Sequence, residues 1–311
     1  MSQSIKLSIV IPVYDGEKTI VALVDELVAV LGRTYSLEVV LVNDLSPDGS
    51  EQACESLFQK YPQIVRFYSL AKNVGEHNAV MCGLVHASGD YAVIMDDDFQ
   101  NPVSEAVKLV EAALQNDYDV VYSYYDQKQH SFFRNFGSWL NDKMANILLG
   151  KPKDLYLSSF KVLNRFLIDE VVKNHSPFPY LDGIILQSTS KIGRVKVAHS
   201  KRLTGRSGYT LRKLFSLWLN MSTSFSVVPL RISALLGFAI SVLALCYAVI
   251  TVIDKLMHPN LPVGYAALVV IVSLFAGTQL LVLGIAGEYI GRIFISLNQR
   301  PQYTIRKKYE S

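Results

Sequence analysis

Charge is missing from two long stretches of this 311-residue sequence: neither Ile232 to Ile253 nor Pro259 to Gly287 contains Asp, Glu, Lys or Arg. Charged residues make up 18% of the chain, against roughly 25% in an average soluble protein, and the deficit is local to those stretches, which argues against a wholly soluble chain. Cysteine is scarce too. Cys54, Cys82 and Cys246 are odd in number and share no metal-type spacing, which fits small buried thiols kept reduced in a cytosol-facing protein better than a disulfide framework. A net charge of only +3, with no basic stripe interleaved with aromatics in the first two hundred residues, argues against a nucleic-acid partner. No G-x-G-x-x-G follows the first apolar run, so the dinucleotide-dehydrogenase type of α/β sheet lacks its phosphate-binding turn. That run, Leu7–Tyr14, is short, holds Pro12 and leads into Asp15 rather than a small-residue cleavage site. It reads as a buried strand and not as a signal sequence.

From residue 5 to about 125, short β-branched runs alternate with longer amphipathic stretches, the pattern of a parallel sheet with crossover helices. Strands are predicted at Leu7–Val13, Leu37–Asn43, Ile64–Leu70, Tyr91–Asp96 and Val120–Tyr124, with helices near 17–31, 50–60, 76–87 and 103–116. Near-continuous apolar strands imply a sheet covered on both faces. Further on, a helix is predicted around 134–149, a strand near 156–163, helices near 165–173 and 181–191, and a strand at Arg194–His199.

A helix after the loop 202–209 carries Leu211, Leu214, Phe215, Trp218, Met221 and Phe225 on one face, which suits either the membrane interface or ordinary core packing. Residues 229–253 and 264–287 are each long enough for the roughly 20 residues that cross hydrocarbon. Lys201, Arg202, Arg206, Arg212, Lys213 and Arg231 precede this pair and Arg292, Arg300, Arg306, Lys307 and Lys308 follow it, whereas Asp254 and Lys255 alone charge the connection. The positive-inside rule then places both flanks in the cytosol. The expected organisation is a cytosolic catalytic domain over 1–208, an interfacial helix over 209–228, a transmembrane hairpin over 229–287 and a cytosolic tail over 288–311. Gly284, Gly287 and Gly291 allow close helix approach, which serves packing inside the hairpin and homo-oligomerisation equally well.

Ligands of open parallel sheets bind beyond the carboxyl ends of the strands, and polar clusters fall at three such ends: Pro12-Val-Tyr14-Asp15, Asn43-Asp44-Leu-Ser46 and Asp96-Asp97-Asp98-Phe-Gln100. Strand alternation sends Asp96 and Asp98 to one side and Asp97 to the other. An acidic run is often a solvated turn. Like charges packed against an apolar strand are costly unless a cation compensates them, and hard oxygen ligands suit Mg²⁺ or Mn²⁺ shared with a substrate diphosphate.

Together, Ile-Pro-Val-Tyr, Val-Asn-Asp-x-Ser, Lys72-Asn-Val-Gly75-Glu-His-Asn-Ala-Val, Asp96-x-Asp98-Phe-Gln-Asn-Pro102, Gly287-Glu-Tyr-Ile-Gly-Arg292 and Arg300-Pro-x-Tyr303 resemble family 2 glycosyltransferases of the polyprenyl-phosphate type. The likeness runs along nearly the whole chain. It implies a GT-A fold, which is a Rossmann-like, mostly parallel α/β sheet with helices on both faces, followed by the interfacial helix and the transmembrane hairpin. It also implies an integral membrane enzyme, of the bacterial inner membrane by the same resemblance, that inverts the anomeric carbon with the help of one Mg²⁺ or Mn²⁺. The implied donor is a nucleotide-activated sugar, UDP-linked rather than GDP-linked, and the implied acceptor a polyprenyl phosphate.

By the same resemblance Pro12, Tyr14, Asp15, Asp44, Lys72, Asp96 and Asp97 hold the nucleotide, and Asp96 and Asp98 hold the metal. Asp96, Asp98, Gln100 and Arg202 serve the chemistry. Arg202, Arg206, Ser207, Tyr209 and Lys161 meet phosphate and acceptor, guanidinium donors being matched in pairs to phosphate oxygens. The alternatives, less favoured, are a helix cap for Asp15, a turn for Asp44 and a surface charge for Arg202. The chain departs from the family at Ser159-Phe160-Lys161, where Asp-Phe/Tyr-Arg is common, and at Gly208, where a Lys usually precedes the loop tyrosine. A processive polysaccharide synthase fits less well, because neither Trp139 nor Trp218 sits in Gln-x-x-Arg-Trp; a non-catalytic nucleotide-binding scaffold is the other alternative.

Overall fold

A computed structural model of the protein describes residues 5–125, 155–177, 179–198, 228–258, 264–298 and 301–310. The chain forms two compact units, one made of residues 1–210 with 299–311 and the other of residues 211–298. The expected helix at 134–149, the loop 202–209 and the interfacial helix at 209–228 lie outside the described residues, apart from Val228.

The first unit is built on an eight-stranded sheet. Its strands are β1 (Lys6–Val13), β2 (Ser36–Asn43), β3 (Val65–Leu70), β4 (Tyr91–Ile94), β5 (Val120–Tyr124), β6 (Lys161–Asn164), β7 (Ile192–Lys196) and β8 (Ile305–Tyr309). Their order across the sheet is β7-β5-β6-β4-β1-β2-β3-β8. The β1–β2, β1–β4, β2–β3 and β5–β7 ladders are parallel, whereas β6 runs antiparallel to β4 and β5, and β8 antiparallel to β3. The connecting helices are α1 (Ile20–Leu31), α2 (Ser50–Lys60), α3 (Glu76–His86), α4 (Val103–Asn116), α5 (Arg165–Val171) and α6 (Leu181–Ser188).

Alternation along β1 separates the layers. Leu7, Ile9, Ile11 and Val13 join the core formed with Ile20, Leu23, Val24, Leu27 and Leu31 of α1 and with Val103, Ala106, Leu109, Val110 and Ala113 of α4. The apolar residues of those helices recur every three or four positions, so each helix presents one stripe to the sheet. α3 packs against β1 and β2 on the opposite face, so the central strands are covered on both sides.

Several boundaries differ from the expectation. β4 stops at Ile94 instead of Asp96, because the carboxylates turn away from the ladder and bind other loops. β6 spans Lys161–Asn164 rather than 156–163, and β7 lies at 192–196 rather than 194–199. Residues 305–309, expected as part of a tail, are an edge strand of the eight-stranded sheet.

The second unit contains α7 (Val228–Met257) and α8 (Tyr265–Leu297). Their segments Leu230–Thr251 and Leu274–Ile295 are long and apolar enough to cross a membrane. The hydroxyls of Ser233, Ser241, Thr251 and Thr278 donate back to carbonyls of the preceding turn, so these groups find partners without water.

Candidate active site

A cleft of about 360 Å³ opens where the carboxyl ends of β1, β2 and β4 meet the N-terminus of α3. Pro12, Val13, Tyr14, Asp44, Asn73, Gly75, Glu76, Asp96 and Asp97 line it. Four residues around it hold positive φ angles, namely Asp15, Leu45, Gly75 and Phe99, so each loop leaving the sheet edge turns sharply there.

Asp44 anchors the floor. It is buried, and its carboxylate accepts hydrogen bonds from the backbone N–H of Val74 (2.7 Å) and of Gly75 (2.8 Å). Asn73 Nδ2 donates to the Asp44 carbonyl at 3.1 Å, and Asn78 Nδ2 donates to the carbonyl of Val74 at 2.9 Å. Burial pushes the Asp44 carboxyl above its ordinary pKa, against the opposing pull of the two amides.

Asp97 packs against Gly16. A methyl group at residue 16 would stand 2.3 Å from Asp97 Oδ2, so any side chain there would displace the Asp97 carboxylate. The same oxygen accepts from the Tyr14 N–H at 3.2 Å. Burial pushes the Asp97 carboxyl up to about 7, with Tyr14 pulling down and the charges of Asp96 and Asp98 adding to the rise. Asp96 faces the other way, accepting from Ser159 Oγ at 2.7 Å. Burial and then the charge of Glu76 raise it to about 6, opposed by Ser159 and Lys161. Asp98 Oδ1 accepts from the Gln100 N–H at 3.1 Å.

Behind this wall Lys161 forms a buried ion pair with Asp182, which also accepts from Tyr122 Oη at 2.9 Å. The Lys161 ammonium stands 5.0 Å from the centroid of the Tyr122 ring. His77 meets Tyr180 edge to face, and burial lowers its pKa.

Of the residues singled out from sequence, Pro12, Tyr14, Asp44, Asp96 and Asp97 converge on the cleft. Asp15 and Lys72 are exposed neighbours in sequence of the lining residues Tyr14 and Asn73, while Asp98 and Gln100 continue the segment that leaves β4. Lys161 sits in the buried wall. Arg202, Arg206, Ser207 and Tyr209 lie outside the described residues. Sequence reading did not single out Asn73, Gly75 and Glu76 as site residues, although they belong to a motif it quoted, and it missed Asp182 and Tyr122, which only the sheet brings to Lys161. Among the described residues no group of three or more His, Cys, Asp or Glu is placed to hold a metal ion. The oxygen donors of Asp96 and Asp98 suit a divalent cation that completes its coordination with substrate oxygens.

Residues 8–172 match the family described as glycosyl transferase family 2. The chain belongs to that family. It is 30% identical over 305 residues to undecaprenyl-phosphate 4-deoxy-4-formamido-L-arabinose transferases of Yersinia pestis and Yersinia pseudotuberculosis, covering 97% of this chain and 93% of the relatives. Among solved structures it resembles the glucosyl-3-phosphoglycerate synthase of Mycobacterium tuberculosis (TM-score 0.53, 17% identity, 70% of this chain and 78% of that one). The mannosyl-3-phosphoglycerate synthase of Rubrobacter xylanophilus is similar (TM-score 0.51, 16% identity, 70% of this chain and 71% of that one). These likenesses establish a GT-A fold, and family membership makes the protein a glycosyltransferase.

Proposed function

We propose that the enzyme transfers a sugar from a UDP-linked donor, with inversion and the help of one Mg²⁺ or Mn²⁺, to a polyprenyl phosphate such as undecaprenyl phosphate at the cytosolic face of a membrane. The observation that carries the reading is the convergence of Asp44, Asp96 and Asp97 on one cleft in a chain that matches, end to end, relatives named for transfer to undecaprenyl phosphate. The glucosyl-3-phosphoglycerate synthase solved with Mn²⁺ and UDP-glucose supports the choice of nucleotide and metal.

In this reading Asp15, Asp44 and Lys72 hold the nucleotide, with Asp44 tying the loop 73–75 to the end of β2. Asp96 and Asp98 carry the oxygen donors for the metal, which when bound neutralises charge on the leaving diphosphate. A phosphate oxygen of the lipid attacks C1 of the sugar as the bond from C1 to the diphosphate oxygen breaks. Arg202 and Arg206 match the phosphates in pairs. A lipid phosphate has a second pKa near 6 by analogy with phosphorylated side chains, so the nucleophile needs positioning more than proton removal. The apolar helices α7 and α8 anchor the enzyme in the membrane, with both termini cytosolic and the connection near Asn260 on the far side.

Titration with UDP and with GDP in the presence of Mn²⁺ tests the nucleotide. UDP binding at least about tenfold tighter supports the reading, and the reverse order assigns a GDP-linked donor. A cysteine placed at Asn260 that a membrane-impermeant reagent labels only from the cytosolic side contradicts the topology.

A further inference from the structure

The chain returns to the catalytic sheet after α8, and the first residues of that return touch the loop that frames the cleft. The carbonyl of Thr304 accepts a hydrogen bond from the Ala71 N–H at 2.8 Å, at the start of the segment whose Val74 and Gly75 amides hold Asp44. Tyr303 stands beside the buried Cys82 of α3, the helix that begins at Glu76 in the cleft. Gln302 Nε2 donates to the carbonyls of Asn174 (2.7 Å) and Ser176 (2.8 Å), tying the strap to the segment between α5 and α6. Three consecutive residues thus contact the loop before α3, α3 itself and the loop between α5 and α6.

Beyond them β8 is fastened in its own right. Tyr309 stacks on Phe67 with centroids 5.6 Å apart and donates to Glu55 at 2.9 Å, while Lys307 pairs with Glu51 and Glu55. The two exposed ion pairs contribute little, so the stacked rings and the antiparallel ladder carry most of the hold.

We infer that residues 302–304 are positioning residues for the nucleotide-sugar site, clamping the 71–75 loop so that its amides are aimed at Asp44. The inference rests on the reading of the cleft as that site. Its consequence is that the C-terminal segment beyond the apolar helices governs donor affinity, although none of its described residues lines the cleft. Residues 298–301 alone separate α8 from this clamp in sequence.

The test uses the full-length enzyme in detergent with a Gln302→Ala/Tyr303→Ala double variant, which leaves the β8 ladder intact, and a chain ending at Arg300. Amide exchange at Val74 and Gly75 is read first, followed by UDP affinity with Mn²⁺ and the KM for each substrate. Exchange in the double variant should quicken about tenfold or more, and UDP binding should weaken about fivefold or more, with kcat and lipid KM within about twofold. The shortened chain should lose more, and a peptide of residues 301–311 should restore protection. Should the shortened chain not fold, the double variant decides. Unchanged exchange at Val74 and Gly75 overturns the inference, and so does faster exchange with unchanged UDP affinity. Exchange needs no ligand, so failure of the clamp is distinguishable from failure of the nucleotide reading, which would show as an unaltered enzyme that binds neither UDP nor GDP.

Discussion

Gly75 has φ 87° and ψ 157°, a region that essentially glycine alone occupies, and a side chain there costs of order 1–3 kcal/mol. A methyl group at residue 75 would meet no atom within 4 Å, so Gly75→Ala perturbs the backbone conformation without a clash. The loop could escape by rotating, but it would then forfeit the Val74 and Gly75 hydrogen bonds to Asp44. Bonds to a charged acceptor contribute about 1.5–3 kcal/mol each, so two outweigh the strain and the loop should hold its shape. Gly75→Ala should therefore destabilise the enzyme by about 1–3 kcal/mol while UDP affinity stays within about threefold. In an Asp44→Ala background the two amide bonds to the carboxylate are gone, residues 73–75 can rotate, and the same substitution should cost less than about 0.5 kcal/mol, a coupling that a double-mutant cycle in chemical denaturation resolves. Equal costs in the two backgrounds would refute the claim that Asp44 imposes the conformation of Gly75.

Asp98→Asn should lower turnover by at least about 100-fold, the scale of losing a main charge-stabilising element, and full activity in excess EDTA would sink the metal assignment. Asp96 at about 6 and Asp97 at about 7 both lie above the ordinary 3.8, so each holds its proton more tightly when folded. Ligand-free stability should fall as the pH rises from about 4 through about 7, and the Tm gain from UDP with Mn²⁺ should be larger at about pH 8 than at about pH 5.5. An equal gain at both values counts against the carboxylates as the cation site. Lys161→Met leaves Asp182 buried without its cation and should cost about 3–5 kcal/mol, partly recovered by adding Asp182→Asn; a thermal-unfolding series checks both. Ser159→Ala, which removes the 2.7 Å bond to Asp96, should change turnover by less than about tenfold, because a phosphate nucleophile needs no base; kinetics showing it as damaging as Asp98→Asn contradict that mechanism.

The strands and helices up to Tyr124 were legible because buried, β-branched strands such as Ile9-Val-Ile11 and Val39-Val-Leu41 have no competing period, and α1 and α4 repeat apolar residues every three or four positions. β8 was not legible. Its sequence Ile-Arg-Lys-Lys-Tyr has three consecutive cations because it is a solvent-facing edge, and only Ile305 and Tyr309 report the sheet. The carboxylates of the site could be found from their positions at strand ends. Their partners could not: Ser159 lies 63 residues from Asp96, and Tyr122 lies 60 residues from Asp182, so topology alone joins them. Lys161 illustrates the cost. The resemblance implied contact with an acceptor phosphate, whereas the structure places it in the buried wall beside Asp182.

The most direct measurement of the central claim is transfer by the purified full-length enzyme, offered a panel of UDP- and GDP-sugars, a short polyprenyl phosphate and Mn²⁺. The account predicts that a UDP-sugar yields an organic-extractable glycosyl lipid with inverted anomeric configuration, and that Asp98→Asn forms almost none. Glycosylation of a water-soluble acceptor by the same enzyme, with no sugar reaching the lipid from any donor in the panel, would contradict it.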